Sequence, residues 1–148
     1  MKKAFSMVTS IFVIIIMATV AILVMNLSGK SVKSTTAQYQ RAQAMLYAKS
    51  YTEYAIMAVT AHDRTTDCIE TIKGSINGRY DIRTHISYIG PATEIGNCSG
   101  TRQLSTNVTT TNTPLTIIVD AYVDYQDPDN AGVGAPKFTV HRRTIQKI

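Results

Sequence analysis

The sequence predicts an α+β fold in which one long N-terminal helix lies on a small antiparallel β-sheet. Three observations carry this. No charged residue occurs between Lys3 and Lys30, and the run Ile11 to Val24 inside that window is almost wholly apolar. From Asn26 to Ala61 there is no proline and Gly29 is the only glycine, so a helical pattern continues past the apolar stretch. Beyond residue 70 the apolar period changes from three-and-four to two, around an Asn77-Gly78 pair.

The first element is long enough to cross a bilayer. A spanning helix needs about 20 mostly apolar residues, whereas the core of a secretory signal has about 7–15. A signal cleaved near Ala21 would therefore leave the run unexplained. The small residues Ala18, Ala21 and Ser28 would let another helix approach closely. The stretch Gln38 to Ala61 is rich in good helix formers. Within it Ala44, Tyr47, Ala48, Tyr51, Tyr54, Ala55 and Ala58 mark one face, while Gln43, Lys49, Ser50 and Glu53 cover much of the remainder. Tyrosines 39, 47, 51 and 54 read as packing residues of this helix. A single helix is expected from Phe5 to about Ala61, on the order of 85 Å long at the usual rise. Its weak places are a bend near Asn26–Gly29 or fraying at Ser34-Thr35-Thr36, where hydroxyl and β-branched side chains favour other conformations.

The sheet follows. Thr71–Ile76 and Arg79–Ile89 flank Asn77-Gly78, a hairpin signal because both turn positions need positive φ. Tyr80, Ile82, Thr84, Ile86 and Tyr88 alternate with Arg79, Asp81, Arg83, His85 and Ser87, as in a half-buried strand. Gly90-Pro91 ends it, and residues 92–113 read as polar loop, exposed over Thr106–Thr113. Leu115, Ile117, Val119, Ala121, Val123 and Tyr125 form a second alternating face, and Lys137–Ile145 a last strand beyond a turn at Asp127-Pro128-Asp129-Asn130. The expected divisions are residues 5–28 as membrane or assembly helix, 29–62 as its amphipathic continuation, and 63–148 as a β-rich head.

Composition narrows the function. The formal charge is +5 over 148 residues, and two of those charges are Lys2 and Lys3, so the basic balance argues weakly for nucleic acid. Charge bias does not orient the span, because Lys2 and Lys3 oppose Lys30 and Lys33 across it. Cys68 and Cys98 read as one disulfide in an exported head, or as two unlinked buried thiols otherwise. A bond there would close a loop of about 30 residues and contribute on the order of 3 kcal/mol. His62, His85 and His141 are scattered, no Cys-x-x-Cys occurs, and neither a nucleophile motif nor a Gly-rich phosphate loop is present. A non-enzymatic protein is expected.

The leader makes a family resemblance specific. Lys2-Lys3-Ala4-Phe5-Ser6-Met7-Val8-Thr9-Ser10 before a long apolar helix resembles the class III leader of the type IV pilin and type II secretion pseudopilin superfamily. The resemblance covers about residues 1–60, with the head similar in architecture alone. It implies a leader of residues 1–4, cleavage between Ala4 and Phe5 by a prepilin peptidase, and N-methylation of Phe5. It also implies a bacterial inner-membrane location, single-pass in the lipid bilayer, with the head in the periplasm. The implied partners are other pilin or pseudopilin subunits and the inner-membrane assembly platform. Two departures stand out: Ala4 replaces the usual glycine, and Thr9 stands where most members carry a glutamate that neutralises a neighbour's amino terminus. The K-type minor pseudopilins also lack that carboxylate, and Tyr39–Ala48 resembles their post-membrane helix, though their large inserted domain has no counterpart here. The expectation is a minor subunit of a pilus or of a secretion pseudopilus. The alternatives are a bitopic protein with a periplasmic binding head and a DNA-contacting competence pilin.

Three further clusters have ordinary readings beside functional ones. Asp124, Asp127, Asp129 and Asn130 offer oxygen ligands of the kind Ca²⁺ takes, as some pseudopilins do in C-terminal loops; the same residues are common turn chemistry, and the spacing is not that of an EF-hand. No other cofactor is expected. Lys137, His141, Arg143 and Lys147 share one face of the last strand, with Arg142 on the other, a pattern that suits phosphate contacts or a solvated or partner-facing patch. Asp120 and Asp124 share a face of the preceding strand and could pair with them. Asn97-Cys98-Ser99 and Asn107-Val108-Thr109 match a glycosylation pattern that a bacterial-type leader makes weak.

Overall fold

The long helix forms as one element. In the computed structural model, which describes residues 2–64, 66–108, 115–127 and 134–148, α1 runs Lys2–Ala61. The chain forms two units, Met1–Tyr39 and Gln40–Ile148. In the first unit every side chain described from Met7 to Tyr39 is exposed. Helix persists through both weak places, and at Ser34–Thr36 the hydroxyls are accommodated on the helix itself. Thr35 Oγ1 donates to the Ser31 carbonyl and Thr36 Oγ1 to that of Val32, both at 3.0 Å. The side chains that compete with helix in principle are turned back onto it.

The second unit is a sheet laid on the C-terminal part of α1. Its strands are β1 (Thr71–Ile76), β2 (Tyr80–Ile89), β3 (Gln103–Ser105), β4 (Thr116–Gln126) and β5 (Lys137–Lys147). The order is β1-β2-β4-β5, all antiparallel, and β3 lies parallel beside the end of β2 that β1 does not reach. Asn77 and Gly78 take φ of 53° and 63° as the hairpin reading requires. The Arg79 N–H closes the turn on the Ile76 carbonyl at 3.1 Å. Ile76 pairs with Tyr80, so Arg79 belongs to the connection rather than to the strand.

The alternating faces point as their period implies. Tyr80, Ile82, Thr84, Ile86 and Tyr88 of β2 and Leu115, Ile117, Val119, Ala121 and Val123 around β4 are all buried. They meet Ala44, Ala48, Ala55 and Val59 of α1 in two clusters. The helix face differs in detail from the expected one: Tyr54 is exposed, while Gln40, Thr52 and Val59 are buried. Thr52 is accepted there because its hydroxyl donates to the Ala48 carbonyl at 2.7 Å. Tyr51 lies so close beneath Gly74 that a Cβ at that position would collide with its phenol. Past the helix end Arg64 reaches back and donates to the Val59 carbonyl at 3.0 Å, capping groups that α1 leaves unpaired.

The stretch read as loop after Pro91 is partly structured, which corrects the expectation. A helical turn, α2 (Ala92–Ile95), buries Ile95, and β3 follows. The Gln103 side-chain amide donates to the Ile95 and Cys98 carbonyls at 2.7 and 2.6 Å. The Cys68–Cys98 disulfide is formed, with Cα atoms 5.0 Å apart, tying this segment to the chain leading into β1. Residues 109–114 of the expected exposed tract lie outside the described residues.

Two measurements test this packing. Thr84 is fully buried and its Oγ1 has no hydrogen-bond partner among the described residues. Thr84→Val is therefore expected to leave stability unchanged or raise it by about 1 kcal/mol in chemical denaturation. Replacing Cys68 and Cys98 together by serine is expected to cost about 3 kcal/mol, with reductant reproducing the loss in the parent chain and not in the variant.

Candidate functional site

Two surfaces carry the features singled out in the sequence. The first is the N-terminal part of α1. From Met7 onward α1 is long and apolar enough to cross a membrane, and its apolar window is not buried within the protein. Thr9, Ala18, Ala21 and Ser28 all lie on it and all are exposed. At about 100° per residue Ala18, Ala21 and Ser28 fall within one roughly 80° sector, and Thr9 falls on the side opposite Ala18. The structure thus groups the small residues and separates Thr9 from them. Thr9 borders instead a shallow apolar depression with Val8, Phe12, Val13 and Ile16. Thr19 Oγ1 donates to the Ile16 carbonyl at 2.8 Å, so its hydroxyl demands nothing from a surrounding lipid. Ala4 and Phe5 lie in the first turns of α1.

The second surface is the sheet face turned away from α1. Register decides its chemistry. Asp120 sits opposite Arg143 and Asp124 opposite Thr139 across β4–β5, and His85 sits opposite Asp120 across β2–β4. Asp120 accepts two bonds from Arg143, at 2.7 and 2.9 Å, and one from His141 Nε2 at 2.7 Å. The Arg143 bonds hold the Asp120 carboxyl below its usual range; burial works against them and the His141 bond assists. Asp81 and Asp124 face one another directly, a like-charge pair relieved by Lys137 at 3.2 Å and Arg83 at 2.6 Å. The pairing of the two aspartates with the basic strand, open in the sequence, is met for Asp120. Asp124 takes Arg83 from β2 instead.

This placement bears on the oxygen-ligand cluster. Asp124 projects from β4, with one carboxylate oxygen bonded by Arg83 and the other by Thr139 at 2.6 Å. Asp127 follows the strand, and Asp129 and Asn130 lie outside the described residues. A cation at Asp124 would have to share its carboxylate with the Arg83 guanidinium and the Thr139 hydroxyl. Among the described residues no three His, Cys, Asp or Glu side chains come together as a metal site.

Sequence reasoning passed over one part of this face. His85 Nδ1 lies 3.0 Å from Arg102 Nη2, and guanidinium nitrogens only donate, so Nδ1 is the acceptor and the ring is neutral. Burial first, then the Arg102 and Arg83 charges, push the His85 pKa below its usual value. Tyr122 stacks on His141 at 4.4 Å and meets His85 edge-on at 5.9 Å. The signal was present in the outward parity of Asp81, Arg83 and His85, but it means little without the register. On the inner face Tyr88 donates to the Ile69 carbonyl at 2.6 Å, and burial raises its pKa to about 12, so it stays a donor.

The signs of these shifts give a pH dependence. The fold disfavours the charged form of His85, so its contribution is complete above the unfolded value near 6.5 and declines as pH falls through the lower folded value. Asp120 acts likewise in a lower window, complete above about 3.9 and lost as pH falls through its depressed folded value. Denaturation midpoints followed against pH are expected to decline below about pH 6.5 and again below about pH 4. His85→Gln is expected to flatten the first decline and Asp120→Asn the second.

Comparison with known proteins finds no family model, curated protein or solved structure that matches the chain.

Proposed function

We propose that this chain is a non-enzymatic minor subunit of a type IV pilus or of a type II secretion pseudopilus. One observation carries the reading: an unbroken helix, Lys2–Ala61, has an exposed apolar first part and a last part that walls the core of a disulfide-closed β head. That division suits a subunit whose apolar part rests in lipid before assembly and then packs on the helices of its neighbours. The leader Lys2-Lys3-Ala4-Phe5 supports processing by a prepilin peptidase between Ala4 and Phe5. Thr9 supports the minor role, because a subunit without a carboxylate there offers no charge partner to a neighbour's amino terminus inside the membrane. The head would lie in the periplasm, where the Cys68–Cys98 bond can form and persist.

Intact mass of the protein purified from membranes tests this. The expected mass lacks Met1–Ala4 and carries one added methyl group. An unprocessed chain would overturn the reading in favour of a bitopic protein that never leaves the bilayer. Should the protein be the most abundant component of purified fibres, the minor role is wrong even if processing is confirmed.

A further inference from the structure

We propose that β5 is a docking edge for an extended acidic strand supplied by another protein. The inference concerns the head alone and stands whether or not the chain enters a fibre.

The first ground is main-chain geometry. The order β1-β2-β4-β5 leaves the far side of β5 unpaired among the described residues. Opposed residues of an antiparallel ladder alternate between exchanging two main-chain bonds and exchanging none. The Ile148 N–H donates to the Leu115 carbonyl at 2.9 Å, and the register runs without a shift from Thr116↔Lys147 to Gln126↔Lys137. The even-numbered residues of β5 therefore spend their main-chain groups on β4. Those of Thr139, His141, Arg143 and Ile145 point outward, a ready ladder for one more strand.

The second ground is charge, which selects the occupant. Lys137 to Lys147 holds Lys137, Arg142, Arg143 and Lys147 with His141, and no carboxylate side chain. A second copy of β5, antiparallel and centred on Arg142, would set Lys137 against Lys147, His141 against Arg143 and Arg142 against itself. Like charges directly opposite are destabilising, so the edge rejects its own kind. A strand bearing carboxylates opposite Lys137, His141, Arg143 and Lys147, which share one face, turns the conflicts on that face into attractions. On that face Lys147 forms no ion pair among the described residues and is available for it, while Arg142 lies on the face of Phe138.

The third ground is the apolar side of the same edge. Tyr47, Tyr80, Tyr125 and Phe138 form a row of ring contacts with centroids 5.0, 5.9 and 5.7 Å apart, and Phe138, at its end, is 50% exposed. Beside it a shallow groove of mixed lining, with Met45, Tyr125 and Val140 next to Arg41, Thr139 and His141, leaves room for a side chain against the exposed Phe138 ring. A fitting strand thus alternates acidic residues, towards His141 and Lys147, with apolar ones, towards Phe138. Nucleic acid fits less well. A phosphate backbone laid on the sheet face would cross Asp81, Asp120 and Asp124, which an added strand at the β5 edge does not cover, and it would leave the outward main-chain ladder unused.

The test uses the full chain in detergent micelles and a fluorescent nine-residue peptide of alternating glutamate and valine, read by anisotropy. The glutamate peptide is expected to bind at least about tenfold more tightly than its lysine counterpart. Ile145→Pro deletes an outward N–H without touching the β4 ladder, and is expected to weaken binding by about tenfold with thermal unfolding unchanged. N-methylation of one alternate set of peptide amides is expected to abolish binding, and this comparison decides alone if the proline variant does not fold. Equal binding of the two peptides, indifference to N-methylation, or preferential binding of duplex DNA would overturn the proposal. So would dimerisation of the chain that Ile145→Pro prevents.

Discussion

The head depends on how closely its sheet can approach α1. Ala44, Ala48 and Ala55 present only a methyl group each and are fully buried, so the large side chains of the core come from the other wall. Tyr80 and Ile82 of β2 and Val123 of β4 close over Ala44 and Ala48, while Ile86, Tyr88 and Ile117 close over Ala55 and Val59. A bulky residue at any of the three alanines would push the sheet away and strain neighbours already at interior density. The fit is locked from several sides. Tyr80 donates to the Gln43 side chain at 2.9 Å, Tyr51 fills the space that Gly74 leaves, and the disulfide fastens the end of the sheet that Ile95 plugs.

The same constraint divides the helix. Between Gln40 and Val59 one face, with Ala44, Ala48, Ala55 and Val59, is used by the sheet, while Met45, Leu46, Tyr54 and Met57 stay exposed; from Met7 to Tyr39 every described side chain is exposed. Exposed apolar surface on that scale has to be met by lipid or by other helices. The two parts also differ in chemistry. The covered part is lined by alanine because a sheet comes close, whereas the uncovered part is dominated by Ile, Val and Met, which suit a hydrocarbon surround. One continuous helix therefore meets two different surroundings, and this is the physical basis of the assembly reading.

Much of this was legible in the sequence. The helix, the Asn77-Gly78 turn and the strands β2, β4 and β5 follow from period and turn chemistry, which are local signals. What was missed is non-local. α2 and β3 exist because Gln103 captures two carbonyls and Cys98 is tied to Cys68, and neither contact has a sequence period. The stripe of three- and four-residue steps that includes Tyr54 is rotated from the face that is buried, which is centred nearer Val59 and takes in Thr52. On the charged face, composition showed both signs of charge, but a two-residue slip of β5 would have kept every side chain on the same face and changed every pair. Only the register joins Asp120 to Arg143 and gives Asp124 to Arg83.

If the sheet and the last part of α1 form one core, they must open together. Hydrogen exchange of the full chain in detergent micelles, followed residue by residue under increasing denaturant, measures this directly. The expected result is that amides of residues 44–59 exchange at the same denaturant as those of β2 and β4, and that reducing the Cys68–Cys98 bond shifts all of them together. Exchange of residues 44–59 at lower denaturant than the strands, with the sheet still protected, would contradict the account, because the helix would then be an attachment to the head rather than a wall of its core.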